Sequence, residues 1–196
     1  MSQLSIESGN YLDVIYELKL VCVVLSSDMT WNAHISYTVK RVNCIIWQLV
    51  RFKQLGASQE KLRTFYILKI RSILMFASVC FHSSLTKELS EKLELQQKRC
   101  LAVILGSQYR SYSHAIVLTR LPRLDTLRSE VFTKWAMKAL KDPLHSNIFP
   151  LNPSTVNTRF RNKFKEYICY TEKFYKSTIP SMIRSLNIIF SSQDNL

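Results

Sequence analysis

The sequence predicts a mainly α-helical domain with a single short β-strand in front of it. Three observations carry that expectation. Only 3 Gly and 5 Pro punctuate 196 residues, too few for a many-turned β-sandwich or a glycine-rich nucleotide fold. Apolar residues return at helical spacing along most of the chain between Trp31 and Lys141. Hydrophobic residues make up 47% of the chain, enough for a real core at this length, so wholesale disorder is not expected.

The elements follow in order. Leu18–Leu25 is a nearly unbroken apolar run rich in valine, which suits one buried strand. No second convincing β segment accompanies it, so the strand is an orphan whose edge is expected to be unpaired and poorly anchored. A first helix spans about Trp31 to Leu55, with Ile35, Val39, Val42, Ile46 and Leu49 as its stripe, Thr30 as N-cap and Gly56 as stop. A second starts after Ser58 and runs to about Cys80 through Leu62, Tyr66, Ile70, Ile73 and Ala77. A third covers about Leu85 to Leu105 and stops at Gly106. A short fourth lies around Ser113–Leu121, and a fifth runs from about Asp125 to Lys141, closed by Pro143. Leu144–Asn157, with Pro150 and Pro153, reads as a linker. The organisation is therefore residues 1–29, 30–143, 144–157 and a basic, aromatic helical extension over 158–196.

Charge is the strongest compositional clue to function. Lys and Arg number 27 against 14 acidic residues, a formal net charge of +13, which attracts a polyanion. The excess is clustered. Eight basic residues between Lys40 and Arg71 face Glu60 alone, and seven between Arg110 and Lys141 face Asp125 and Glu130. The first 28 residues are acidic by comparison, with Glu7, Asp13, Glu17 and Asp28 against Lys19.

Other chemistries find little support. The five cysteines (Cys22, Cys44, Cys80, Cys100, Cys169) contain no C-x-x-C pair. Cys44, Cys80 and Cys100 have apolar neighbours and are expected as buried, reduced thiols. No metal or cofactor site is expected. The four histidines are scattered, and His34 is expected to orient the first helix rather than move a proton. Glu88, Glu91 and Glu94 share a helix face, but Glu88–Lys92 and Glu94–Lys98 at i, i+4 describe an ordinary solvated surface. The acidic, polar N-terminus is not expected to act as a signal peptide, and no run reaches the roughly 18 apolar residues a membrane span needs, so an intracellular protein is expected, with no membrane or small-molecule partner expected either.

Three stretches together carry a resemblance. Leu18–Ile35 reads LKLVCVVLSSDMTWNAHI. Ile70–Gly106 contains Phe76-Ala77 and then Leu93, Glu94, Gln97, Lys98 and Arg99. Phe174–Asn187 reads FYKSTIPSMIRSLN. In this order and spacing they resemble the end of the palm and the thumb of non-LTR (LINE-type) retrotransposon reverse transcriptases. The resemblance covers roughly residues 18–187. It implies a helical, thumb-like bundle that holds the template–primer backbone, with Leu18–Leu25 near the primer terminus. In that family the catalytic aspartates lie well N-terminal to this strand, and no Tyr/Phe-x-Asp-Asp occurs here. Two-metal nucleotidyl transfer needs those carboxylates, so the chain alone is not expected to be an enzyme. The family's Leu-Gly at the strand's end is Val21-Cys22 in this chain, and Phe81 stands where a Trp often follows the Phe-Ala helix end.

Candidate backbone-binding residues are Lys40, Arg41, Arg51 and Lys53 on the first helix. On the fifth, Lys134, Lys138 and Lys141 share one face at i, i+4 and i+7. The partner they suit is RNA or DNA, held with little sequence preference. Arg159–Lys176 interleaves cations with aromatic rings, as single-strand binders do, yet Phe160, Phe164 and Tyr167 at i, i+4 and i+7 equally suit an amphipathic helix packed on the domain. Two other readings stay open: a helical protein-interaction scaffold, and a decayed element fragment with no selected role.

Overall fold

The computed structural model of the chain describes residues 4–5, 11–12, 16–152 and 163–193. Its N-terminal apolar run is a hairpin and not a single strand. β1 (Leu4–Ser5) and β2 (Tyr11–Leu12) form a minimal antiparallel pair ahead of it. β3 (Glu17–Leu20) then pairs antiparallel with β4 (Val23–Ser26), Leu20 opposite Val23 and Leu18 opposite Leu25. Val21 and Cys22 make the turn at φ 46° and 67°. Two successive left-handed residues are what a tight two-residue hairpin requires. Asn-Gly normally announces such a turn, whereas Val-Cys hides it inside the apolar run. The orphan strand is thereby corrected: β3 and β4 pair with each other, and among the described residues no further strand pairs with the outer edge of β3.

Helices build everything that follows. α1 (Asn32–Gln54) buries Ile35, Val42, Ile46 and Leu49, the stripe its periodicity predicts. Its N-cap is Trp31, not Thr30. The Thr30 hydroxyl and amide both turn back to Asp28, closing a local turn before the helix begins. Gly56, at φ 81°, ends the helix region as expected.

The second predicted helix divides. α2 (Gln59–Phe65), capped by Ser58, runs through a π-helical turn (Tyr66–Arg71) into α3 (Ser72–Leu74). Ala77 then adopts φ 53°, and α4 (Ser78–Phe81) leaves at a 46° bend. A left-handed alanine carries no sequence signal for a stop, which is why a helix reaching Cys80 is the natural reading. α5 (Lys87–Leu105) is capped by the Thr86 hydroxyl and stopped by Gly106 at φ 57°. α6 (Tyr112–Thr119) is capped by Ser111 and ends at left-handed Arg120, and α7 (Leu124–Lys141) follows.

Two apolar cores result. In the larger, α1, α2, the π turn and α5 pack Val42, Leu49, Leu62, Tyr66, Ile70, Leu93 and Leu101 together. In the smaller, Phe132, Ala136 and Ala139 of α7 meet Phe149, Phe164 and the Met182, Ile183 and Leu186 side chains of α9 (Thr178–Gln193). α8 (Glu172–Tyr175) is a single turn before α9. Phe164 does pack on the domain, but from extended backbone: it bridges Leu151, and residues 163–170 contain no helix. Arg159, Phe160 and Arg161 lie outside the described residues.

The cysteines need a second correction. Cys100 is buried, and burial pushes its thiol up to about 12. Cys44 and Cys80 are exposed. Cys44 falls between Arg41 and Gln48 on the solvent side of α1, the face its apolar neighbours in sequence conceal.

Candidate nucleic-acid interface

The motif residues of the third stretch of helix turn out to be scaffolding. Glu94, only 3% exposed, does not lie on a solvated face with Lys98. Its carboxylate accepts the Asp125 backbone N–H at 2.8 Å and the Tyr112 hydroxyl, and so caps the start of α7 from α5. Gln97 accepts from the Tyr66 hydroxyl at 2.7 Å and donates to the Pro122 carbonyl at 2.9 Å. That chain pins the π turn, α5 and the loop before α7 to one register. Burial raises the Tyr66 phenol far above its ordinary value, so its hydroxyl stays a donor. Glu88 and Lys92 do form the expected exposed pair, at 2.8 Å.

Asn187, the last residue of the C-terminal motif, plays the corresponding part in the smaller core. Buried itself, it accepts from the Phe164 N–H at 2.9 Å and donates to the Phe164 carbonyl at 3.1 Å. Both polar groups of that extended backbone are thus satisfied by one side chain.

His34 orients the N-terminal hairpin. Its Nδ1 accepts the Val24 N–H at 3.4 Å, and its ring packs against Trp31 and Phe81. Burial holds the imidazole below its ordinary value, so the neutral ring is the acceptor the strand needs. The Lys173 ammonium adds a bond to the Asp28 carbonyl at 2.7 Å, tying the tail to the turn after β4.

Around this scaffold the basic residues divide into two sets. Some serve the fold. The Lys53 ammonium donates to the Val103 carbonyl in the last turn of α5, and Arg63 Nε donates to the Thr119 carbonyl at 2.7 Å. Arg123 pairs with Asp125 at 3.0 Å. Arg128 is 1% exposed; its Nη2 donates to Ser90 Oγ at 2.6 Å, while Nε and Nη1 have no hydrogen-bond partner among the described residues. Desolvation lowers its pKa, opposed by the nearby Glu94 and Asp125 carboxylates.

The second set faces solvent. Lys40, Arg41 and Arg51 lie exposed on α1, on the side turned away from its buried stripe. Two aromatic rings that the basic-residue count passes over sit among them. The Tyr37 ring has Lys19 Nζ of β3 at 4.5 Å and the Arg41 guanidinium at 5.6 Å; the Trp47 ring, 61% exposed, has the Arg51 guanidinium at 5.0 Å. Helical spacing betrays the first of them: Tyr37, Arg41, Cys44, Gln48 and Arg51 recur at alternating steps of four and three residues, and Trp47 lies four residues before Arg51. On α7, Lys134, Lys138 and Lys141 are all exposed, opposite the buried Phe132, Ala136 and Ala139. Among the described residues, no carboxylate forms an ion pair with any of these six cations. The two groups occupy different helices, both packed on α5.

Among the described residues no cluster of three or more His, Cys, Asp or Glu side chains is placed to hold a metal ion, and no single helix is long and apolar enough to cross a membrane. No protein-family model, no curated protein and no solved structure matches the chain.

Proposed function

We propose that this chain is a helical module that grips the sugar–phosphate backbone of RNA or DNA, and that it derives from the thumb of a LINE-type reverse transcriptase. The observation that carries the reading is the exposed face of α1. Lys40, Arg41 and Arg51 project there without acidic partners among the described residues, two of them beside the Tyr37 and Trp47 rings. Cations of this kind neutralise phosphates and release counterions, and arginine on an aromatic ring offers a base a second flat surface. Lys134, Lys138 and Lys141 supply a second stripe of the same character. Residues with base-reading geometry are not evident, so contacts position the ligand without selecting its sequence. On this reading the chain holds nucleic acid and does not extend it; purified protein supplied with Mg²⁺, a primed RNA template and nucleotides is expected to incorporate none.

The test is the salt dependence of binding. Changing Lys40, Arg41 and Arg51 together to Gln should weaken binding to all sequences alike, and each lost phosphate contact should reduce the slope of log affinity against log salt by about one unit for duplex. The matching triple change at Lys134, Lys138 and Lys141 should act in the same way. Unchanged affinity and slope in both variants would reject this reading. Binding of a protein partner that ignores added salt would support a scaffold instead.

A further inference from the structure

We infer that the free edge of β3 is a self-complementary dimer interface, through which two copies of this chain join their hairpins into one four-stranded antiparallel sheet. The hydrogen-bond phase of the hairpin decides which groups are available. The Ser27 N–H donates to the Tyr16 carbonyl at 2.8 Å, and the register places Leu18 opposite Leu25 and Leu20 opposite Val23. Antiparallel pairs alternate, so Tyr16, Leu18 and Leu20 bond inward and Glu17 and Lys19 point their N–H and C=O groups outward. On the other strand the same alternation turns the Val24 N–H outward, where His34 takes it. Nothing takes the outward groups of β3 among the described residues.

A second β3 strand can add to that edge in antiparallel sense only if outward residues meet outward residues. Centring the two-fold axis on Lys19 or on Glu17 sets like charges opposite each other, which is unfavourable. Centring it on Leu18 sets Glu17 opposite Lys19 of the second copy, twice over. The same register sets Leu18 against Leu18 and Tyr16 against Leu20. Those three side chains share one face of the hairpin; Tyr16, Leu18 and Leu20 are 63%, 49% and 57% exposed, an apolar surface with no cover among the described residues. Backbone phase, charge and apolar pairing thus select one register, and it is symmetric. The axis stands perpendicular to the sheet, so both α1 helices pack on the same side of it.

The interface is short, so the dimer is expected to be weak and visible only when concentration is varied. Sedimentation of the full chain, free of nucleic acid, from about 1 µM to about 1 mM should show monomer converting to dimer. Lys19→Glu and Glu17→Lys should each weaken association at least tenfold, because each sets like charges opposite. Mixing the two variants should restore it as a heterodimer, and the double exchange Glu17→Lys with Lys19→Glu should restore the homodimer. A chain that stays monomeric throughout overturns the inference. So does a dimer indifferent to both single changes, which would use another face. Slow exchange of the Lys19 amide in a sample that sediments as monomer also overturns it, since the edge would then be covered from within the chain.

Discussion

Relieving the strain at Val21 and Cys22 should stabilise the hairpin measurably. Both residues sit in the left-handed region, at φ 46° and 67°. A side chain there costs about 1–2 kcal/mol per residue, and a β-branched valine belongs at the upper end. Replacing the pair by the Asn-Gly dipeptide, through Val21→Asn and Cys22→Gly, removes most of that cost. Glycine's greater freedom in the open chain returns about 1 kcal/mol of it. The net gain is about 2 kcal/mol, or roughly a 30-fold smaller opening equilibrium. Neither replaced side chain contributes core packing, since Val21 and Cys22 are both exposed. The assay is amide hydrogen exchange in dilute solution at Leu18, Leu20, Val23 and Leu25, whose N–H groups lie within the ladder. Their protection should rise together, while that of α5 stays unchanged. A control with Val21→Ala and Cys22→Ala keeps both Cβ atoms and should gain little. Equal or lower protection in the Asn-Gly variant would show that the turn is not strained as described.

Three further outcomes follow from the buried polar groups and the strained backbone. Tyr66→Phe should cost about 1–3 kcal/mol, read from the denaturant midpoint, because the Gln97 carbonyl oxygen is left buried without that donor. Gly106→Ala should destabilise chiefly through its positive φ of 57°, because the new Cβ would meet only Lys53 Nζ, the far end of a flexible side chain, at 2.6 Å; Lys53→Met in the same chain should therefore change the loss little. Acid should weaken the fold through its histidines. Burial lowers the pKa of both His34 and His82, and Arg128 adds to the effect at His82. The unfolded chain therefore takes up these protons first. Stability is full above the ordinary imidazole value of 6.5 and falls as pH drops below it toward the folded values. Urea midpoints at several pH values should show that decline, and His34→Gln should flatten part of it.

Much of the helical architecture is legible in the sequence, because apolar spacing and strong caps mark it. Ser58, Thr86 and Ser111 cap α2, α5 and α6, and Gly56 and Gly106 stand where helices end. Several of the boundaries that escape reading share one physical cause. Left-handed backbone at Val21, Cys22, Ala77 and Arg120 is built without glycine or asparagine, so the turn and the two helix ends announce nothing. Within the candidate interface, exposure of Lys40, Arg41 and Arg51 follows from helical phase. The roles of Lys53 and Arg128 do not, because their partners are a carbonyl 50 residues away and a serine 38 residues away in sequence. Glu94 is the sharpest case. Spacing pairs it with Lys98, and the fold turns it inward to cap another helix.

The ion pairs have a consequence for how this fold responds to its surroundings. Those among the described residues are all local: Glu88–Lys92 and Glu172–Lys176 at i, i+4, Asp142–His145 at i, i+3, and Arg123–Asp125 two residues apart. Among the described residues no ion pair ties one element of the bundle to another. With a formal net charge of +13 on the chain, the described elements are therefore joined to one another against that repulsion by packing and hydrogen bonds rather than by ion pairs among the described residues. Screening that repulsion should raise the melting temperature, so moderate salt tightens the protein while loosening any polyanion bound to it. A bound polyanion supplies the missing countercharge and stabilises the folded state by mass action. The two variables thus pull in opposite directions, and on the proposed backbone-binding reading thermal stability becomes a direct gauge of occupancy: at low salt, the melting temperature should climb with each addition of nucleic acid until the exposed cations are matched.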